Sequence, residues 1–205
     1  MNRVITYVDG FNLYFGLRSK KWRRYYWLDL VALSRSFLRG DQRLERCHYF
    51  TARIREGAGK QDAGRQSTYL DALGTLAPLT THFGHYLAKP QECRSCGATW
   101  TKYEEKMTDV NIATQILSDA YEDRFDTAII VSGDSDLTMP VKLVRQRFPS
   151  KRMLVAFPPA RRSDQLKKAA NACFIIGQDK LRKSLMPDTI TTASGHVLHR
   201  PQQWH

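Results

Sequence analysis

Acidic side chains are in deficit in this 205-residue chain: 20 Asp and Glu face 32 Lys and Arg, a formal net charge of +12. That imbalance predicts attraction to a polyanion, nucleic acid first, with membrane surfaces and acidic proteins as the ordinary alternatives. Cysteine is scarce as well. Four cysteines in a chain of this length do not make a disulfide scaffold, so the expected compartment is the reducing cytoplasm. No apolar run approaches the roughly 18 residues that a spanning helix needs, and Asp9 interrupts the apolar start too early for a secretory leader. No membrane partner is therefore expected. Internal repeats and low-complexity tracts are also missing, and 42% hydrophobic with 25% charged residues suits a globular domain with its own core.

What is present is an alternation of short apolar runs with longer helical patterns, the mark of an α/β chain built on a parallel sheet. Strands are expected at Val4–Val8, Arg46–Thr51, Leu79–Leu87, Thr127–Val131, Met153–Phe157 and Cys173–Ile176. Helices are expected at Asp29–Leu38, Gly64–Leu73, Asp109–Tyr121 with Thr108 as its N-cap, Leu137–Arg147 and Ser163–Asn171. The glycines of Glu56–Gly64 read as a loop. The expected organisation is one domain over residues 1–185, with a cysteine-bearing insertion near 88–104, followed by an extended tail over 186–205.

Two aspartates then stand out. Asp134 and Asp136 close the run Ala128-Ile-Ile-Val-Ser-Gly-Asp-Ser-Asp136, at the end of what reads as the most buried strand. Like charges so close resist desolvation, and the usual remedy is a hard cation. Asp9 ends the first strand, and Asp109 opens the helix leading into the fourth. In a doubly wound sheet, ligands bind beyond the carboxyl ends of the strands at the point where strand order reverses, so these four acids are expected to converge there. Each taken singly also has an ordinary reading: Asp9-Gly10 as a turn, Asp109 as a helix-start acid, Asp136 as an N-cap. Lys106, three residues before Asp109, reads either as a phosphate contact or as a solvated lysine.

The blocks Val8-Asp9-Gly10-Phe11-Asn12, Glu105-Lys106-Met107-Thr108-Asp109-Val110 and Val131-Ser132-Gly133-Asp134-Ser135-Asp136 resemble, in the right order, the signatures of NYN domain proteins, the LabA-like branch of the PIN-like nuclease superfamily. The resemblance implies a PIN-like fold and an acidic pocket of Asp9, Asp109, Asp134 and Asp136 that binds Mg²⁺ or Mn²⁺. It also implies cation-dependent hydrolysis of RNA phosphodiesters, with Asn12 holding Asp9 or a metal-bound water and Ser132 bracing the loop. A noncatalytic RNA-binding adaptor and a hydrolase of small phosphate esters are the rival readings.

Two further segments carry chemistry. Arg18–Trp27 interleaves five basic with four aromatic side chains, a composition that suits single-stranded RNA; Lys20, Lys21, Trp22, Arg23 and Arg24 are its expected contacts. The alternative is a solvated segment whose rings turn inward. Arg145, Arg147, Lys151, Arg152, Arg161 and Arg162 form a second basic set able to extend the path. Cys93-Arg-Ser-Cys96 has the spacing of half a zinc site. Structural zinc with His82 and His85 as added ligands, a redox pair and two unpaired thiols are its three readings. Pairing of the chain with a second copy is left open.

Overall fold

The computed structural model describes residues 1–54 and 60–205. Its centre is a seven-stranded sheet formed by β1 (Asn2–Asp9), β2 (Gln42–Ala52), β3 (Leu79–Glu92), β4 (Thr99–Lys106), β5 (Thr127–Val131), β6 (Arg152–Phe157) and β7 (Ala172–Ile175), in the order β4-β3-β2-β1-β5-β6-β7. Every pairing is parallel except β3 with β4. The helices are α1 (Gly10–Ser19), α2 (Leu30–Arg35), α3 (Lys60–Leu73), α4 (Thr108–Tyr121), α5 (Thr138–Arg147), α6 (Asp164–Ala169) and α7 (Gln178–Lys183). None of the described helices is long and apolar enough to cross a membrane.

Alternation along β1 explains the layers. Val4 and Val8 join one buried cluster with Leu13 and Leu17 of α1, Leu30 of α2 and Leu181 of α7. Ile5 and Tyr7 join the other with Ile112 and Ile116 of α4, Val141 of α5 and Leu166 of α6. A central strand covered on both faces must be apolar on both, which is why β5 is buried at all five positions. Strand order reverses between β1 and β5, so their carboxyl ends flank the switch point.

Three elements differ from the sequence expectation. Helix α1 follows Asp9 directly, where a loop was expected. Its glycines and aromatics have weak helix propensity, and its formation rests on tertiary burial of Leu13 and Leu17. Strand β4 lies inside the expected insertion; its polar, charged sequence gives no apolar signal because it is an edge strand. It also changes how Asp109 reaches the rim. The antiparallel strand carries the chain back to Lys106, opposite His85, so α4 starts just past the last β2–β3 pair, Ala52↔Gly84. The N-cap of α4 is Met107, left-handed at φ 80°, and Thr108 is the buried first residue of the helix rather than its cap.

The tail, expected to be extended, is folded onto its own domain. β8 (Thr189–Thr191) and β9 (Val197–His199) form a small antiparallel hairpin, and Leu198 enters the core. Trp204 packs within about 6 Å of the rings of Tyr26, Trp27 and Tyr69. The Trp27 indole donates to the Pro187 carbonyl at 2.8 Å, so a fully buried tryptophan has its one donor satisfied by the tail. The expected loop at 56–64 lies partly outside the described residues, and helix begins at Lys60.

Candidate active site

The carboxyl ends of β1 and β5 are joined by a chain of hydrogen bonds. Asp9 caps α1: one oxygen accepts from the Asn12 backbone N–H at 2.9 Å, the other from the Asn12 side-chain amide at 2.7 Å. That second oxygen also accepts from the Ser132 hydroxyl at 2.8 Å. Ser132 in turn accepts from the Asp134 backbone N–H at 3.0 Å, and the Asn12 carbonyl oxygen accepts from the Gly133 N–H at 3.2 Å. Asp134 caps the short 3₁₀ turn Ser135–Leu137 by accepting from the Asp136 N–H at 2.9 Å. Asn12 and Ser132 thus both hydrogen-bond Asp9, and Ser132 also takes the Asp134 N–H within its own loop. Asp136 does not cap the helix that follows: the N-cap of α5 is Leu137, with no side-chain hydrogen bond.

Electrostatics sharpen the picture. Asp9 is 1% exposed, and burial pushes its carboxyl above the ordinary range, against the bonds from Asn12 and Ser132 and with help from the negative charge of Asp134. None of Asp9, Asp134 and Asp136 forms an ion pair with a lysine or arginine among the described residues, although the chain carries a charge of +12. A buried carboxyl beside a second one, with no cationic side chain against either, is a donor set that suits a hard divalent cation retaining part of its water shell.

Asp109 lies half-buried in the first turn of α4, and α4 packs against the 3₁₀ turn that carries Asp136; Ile112 and Leu137 share one buried cluster. The four acids nonetheless do not form a closed cage. Among the described residues, no three His, Cys, Asp or Glu side chains gather closely enough to hold an ion. Lys106 points its ammonium at Glu104, 3.3 Å away, rather than standing unpaired over the acids.

Gly133 is needed for space, not for a left-handed turn: a Cβ there would lie 2.9 Å from the Arg161 carbonyl carbon. That contact brings the loop after β6 over the acidic rim and carries Arg161 with it. The Arg161 guanidinium sits 5.8 Å above the ring of Phe15. Phe15 belongs to an aromatic stripe on the outer face of α1 that sequence reasoning missed. Phe11 and Phe15 stack with centroids 6.5 Å apart, Tyr14 lies edge-on to Phe15 at 5.3 Å, and Tyr86 closes on Phe11 at 6.2 Å. Tyr14 and Phe15 are about 40% exposed. The spacing 11, 14, 15 is helical and was legible, but Leu13 and Leu17 on the opposite face blur the period.

The basic-aromatic segment divides by residue type. Lys20, Lys21, Arg23 and Arg24 are exposed, whereas Trp22 is half-buried, edge-on to Tyr25 and packed on the core. Its ring belongs to the fold, so the expectation of Trp22 as a stacking platform is corrected; burial of apolar area outweighs display. The cysteines lie elsewhere. Cys93 and Cys96 occupy the turn between β3 and β4, while His82 and His85 sit roughly 36 and 26 Å from Cys93 down the strand by its rise per residue. The expected Cys₂His₂ set is not formed. His82 instead contacts His48 Nδ1 at 2.8 Å, and His48 Nε2 faces Asp119 at 3.4 Å.

The sheet superposes on a crystal structure of a protein of unknown function from Vibrio parahaemolyticus with a TM-score of 0.52, covering 90% of this chain and 96% of that one at 17% identity, a likeness of fold alone. A curated relative, named as a 6-hydroxy-3-succinoylpyridine 3-monooxygenase of Pseudomonas putida, is 30% identical over 178 residues. The match covers 70% of this chain and 55% of that protein, so the chain spans about half the length of the relative. The NYN domain profile matches residues 3–177, from the first strand to the end of the sheet. With Asp9, Asn12, Ser132 and Asp134 linked at the switch point of a mostly parallel sheet, the chain belongs to the NYN domain family, of the PIN-like nuclease type.

Proposed function

We propose that this protein is a divalent-cation-dependent ribonuclease acting on single-stranded RNA at the carboxyl ends of β1 and β5. One observation carries the reading: the linked acids Asp9 and Asp134 stand at the switch point of a strongly basic chain, and no lysine or arginine among the described residues pairs with either. Asp9, Asp134, Asp136 and, from the start of α4, Asp109 are the residues that would hold Mg²⁺ or Mn²⁺. Such an ion, when bound, acidifies a water nucleophile and stabilises the leaving oxygen of a phosphodiester. Few protein ligands are needed, because Mg²⁺ keeps several waters.

The protein's own groups do the rest. Asn12 and Ser132 fix the Asp9 carboxylate by three hydrogen bonds, so its oxygens cannot rotate as the substrate arrives. Phe11, Tyr14 and Phe15 offer ring faces and edges to unstacked bases. Arg161, beside Phe15 and Gly16 of α1, and the exposed cations Lys20, Lys21, Arg23 and Arg24 past its carboxyl end meet phosphates. Contacts of this kind bind with little sequence preference.

A noncatalytic RNA-binding adaptor is the second reading. It is favoured by the full engagement of the Asp9 oxygens and by the lack of a closed acidic cage among the described residues. The test incubates labelled single-stranded RNA with Mn²⁺ or Mg²⁺ and compares wild type with Asp9→Asn and Asp134→Asn. Ribonuclease action predicts cleavage lost in both variants while RNA binding is kept. Tight binding without cleavage by any of the three chains would favour the adaptor, and equal cleavage by all three would reject these acids as the centre.

A further inference from the structure

The pairing of β2 with β3 stops at Ala52↔Gly84, and that of β4 with β3 runs from His85↔Lys106 to Glu92↔Thr99. Those eight pairs form a two-stranded ribbon that projects roughly 23 Å beyond the sheet. Beyond the contact of Tyr86 with Phe11 at its base, its described apolar side chains find no core: Leu87 and Trp100, 44% and 53% exposed, belong to neither buried cluster. An isolated two-stranded ribbon is marginal in water, so backbone pairing alone does not fix its tip.

The tip is Cys93-Arg94-Ser95-Cys96-Gly97. Gly97 takes the left-handed conformation at φ 68° and donates its N–H to the Cys93 carbonyl at 2.8 Å, while the Cys93 N–H donates to the Ala98 carbonyl at 2.8 Å. This turn sets the Cys93 sulfur beside the backbone N–H groups of Ser95 and Cys96 and beside the Cys96 side chain. Two adjacent thiols braced in this way are half of a tetrahedral zinc shell. The chain does not complete it. Cys47 is buried in the core, Cys173 lies on β7 at the far edge of the sheet, and no third His, Cys, Asp or Glu joins the pair among the described residues.

We propose that the ribbon tip is half of a four-thiolate zinc centre completed by Cys93 and Cys96 of a second copy, joining two chains tip to tip. One Zn²⁺ then binds four sulfurs, and the four thiol protons pass to solvent. The arrangement is isologous, the same pair meeting itself across a two-fold axis. Arg94 of each copy brings positive charge near the doubly negative metal–thiolate centre.

The full chain, purified without chelator and kept reduced, supplies the test through metal analysis and light scattering. The proposal expects one zinc per two chains and a dimeric mass. Cys93→Ser and Cys96→Ser each lose the zinc and become monomers, yet keep the cooperative unfolding of the sheet, because the ribbon stands outside both cores. Asp134→Asn keeps the zinc, which separates this centre from the acidic rim. Cobalt taken up in place of zinc shows the charge-transfer bands of four thiolates. Reduced protein that takes up no Zn²⁺, one zinc per monomer, or a dimer that survives Cys96→Ser would each overturn the proposal.

Discussion

The two ends of the β1–β5 pair treat carboxylates in opposite ways. At the amino ends, Arg3 bonds Asp126 with its side chain at 2.8 and 3.2 Å and with its backbone N–H at 2.7 Å, and also reaches Asp123, which Lys151 bridges as well. Hydrogen bonds from Arg3 hold the Asp126 carboxyl down at about 2. At the carboxyl ends, burial moves Asp9 upward, and no basic side chain answers it. The same two strands thus end once in a closed ion network and once in acids left uncompensated. The first arrangement belongs to the fold. The second costs stability unless something positive arrives, and that is the physical sign of a site.

This contrast can be broken by experiment. The largest effect expected is at the carboxyl end. Mn²⁺ at about 100 times its Kd should raise the unfolding free energy of the wild type by about 2.7 kcal/mol and that of Asp134→Asn hardly at all. Thermal melts with and without the ion check it; equal stabilisation of both would place the ion elsewhere. At the amino end, Arg3→Ala should cost about 1–2 kcal/mol in denaturant unfolding, discounted for the partial exposure of the pair, with the cleavage rate per folded molecule unchanged. A loss of cleavage without a loss of stability would contradict the division of labour.

A smaller effect comes from the buried network beside β1. Burial, and then the charge of His48, hold His82 below its ordinary 6.5. Burial opposes the charge on Asp119, but bonds from His48, Tyr7 and Gln115 outweigh it and lower its pKa. Both folded values are depressed, so the unfolded chain binds protons first. Stability should be complete above pH 6.5, fall as pH drops below that through the His82 range, and fall again below the ordinary range of Asp119. His82→Gln should remove the first of these two losses in a pH series of unfolding curves. The smallest effect belongs to the exposed cations: Lys20→Ala and Lys21→Ala should each reduce the salt dependence of RNA binding by about one unit of slope. An unchanged slope would remove that segment from the RNA path.

What could be read in advance follows from local physics. The apolar runs of β1, β5 and β6 announced strands covered on both faces, and Asp9, Ser132 and Asp134 were legible because polar residues at the end of such runs must lie at the rim of the sheet. Where a residue's role depends on its neighbours, the reading failed. Trp22 turned inward because apolar area found a core to cover, and β4 formed from a polar sequence because β3 offered it an edge.

The sequence by itself determined the fold class, the family and the identity of the acids, since hydrophobic period and short motifs are properties of contiguous residues. Only the tertiary structure decided that Ser132 holds Asp9 and that Arg161 rides over Phe15. It alone also decided that Cys93 and Cys96 stand far from His82 and His85. Those relations join segments more than a hundred residues apart, or depend on how far a strand extends, and no local pattern encodes them.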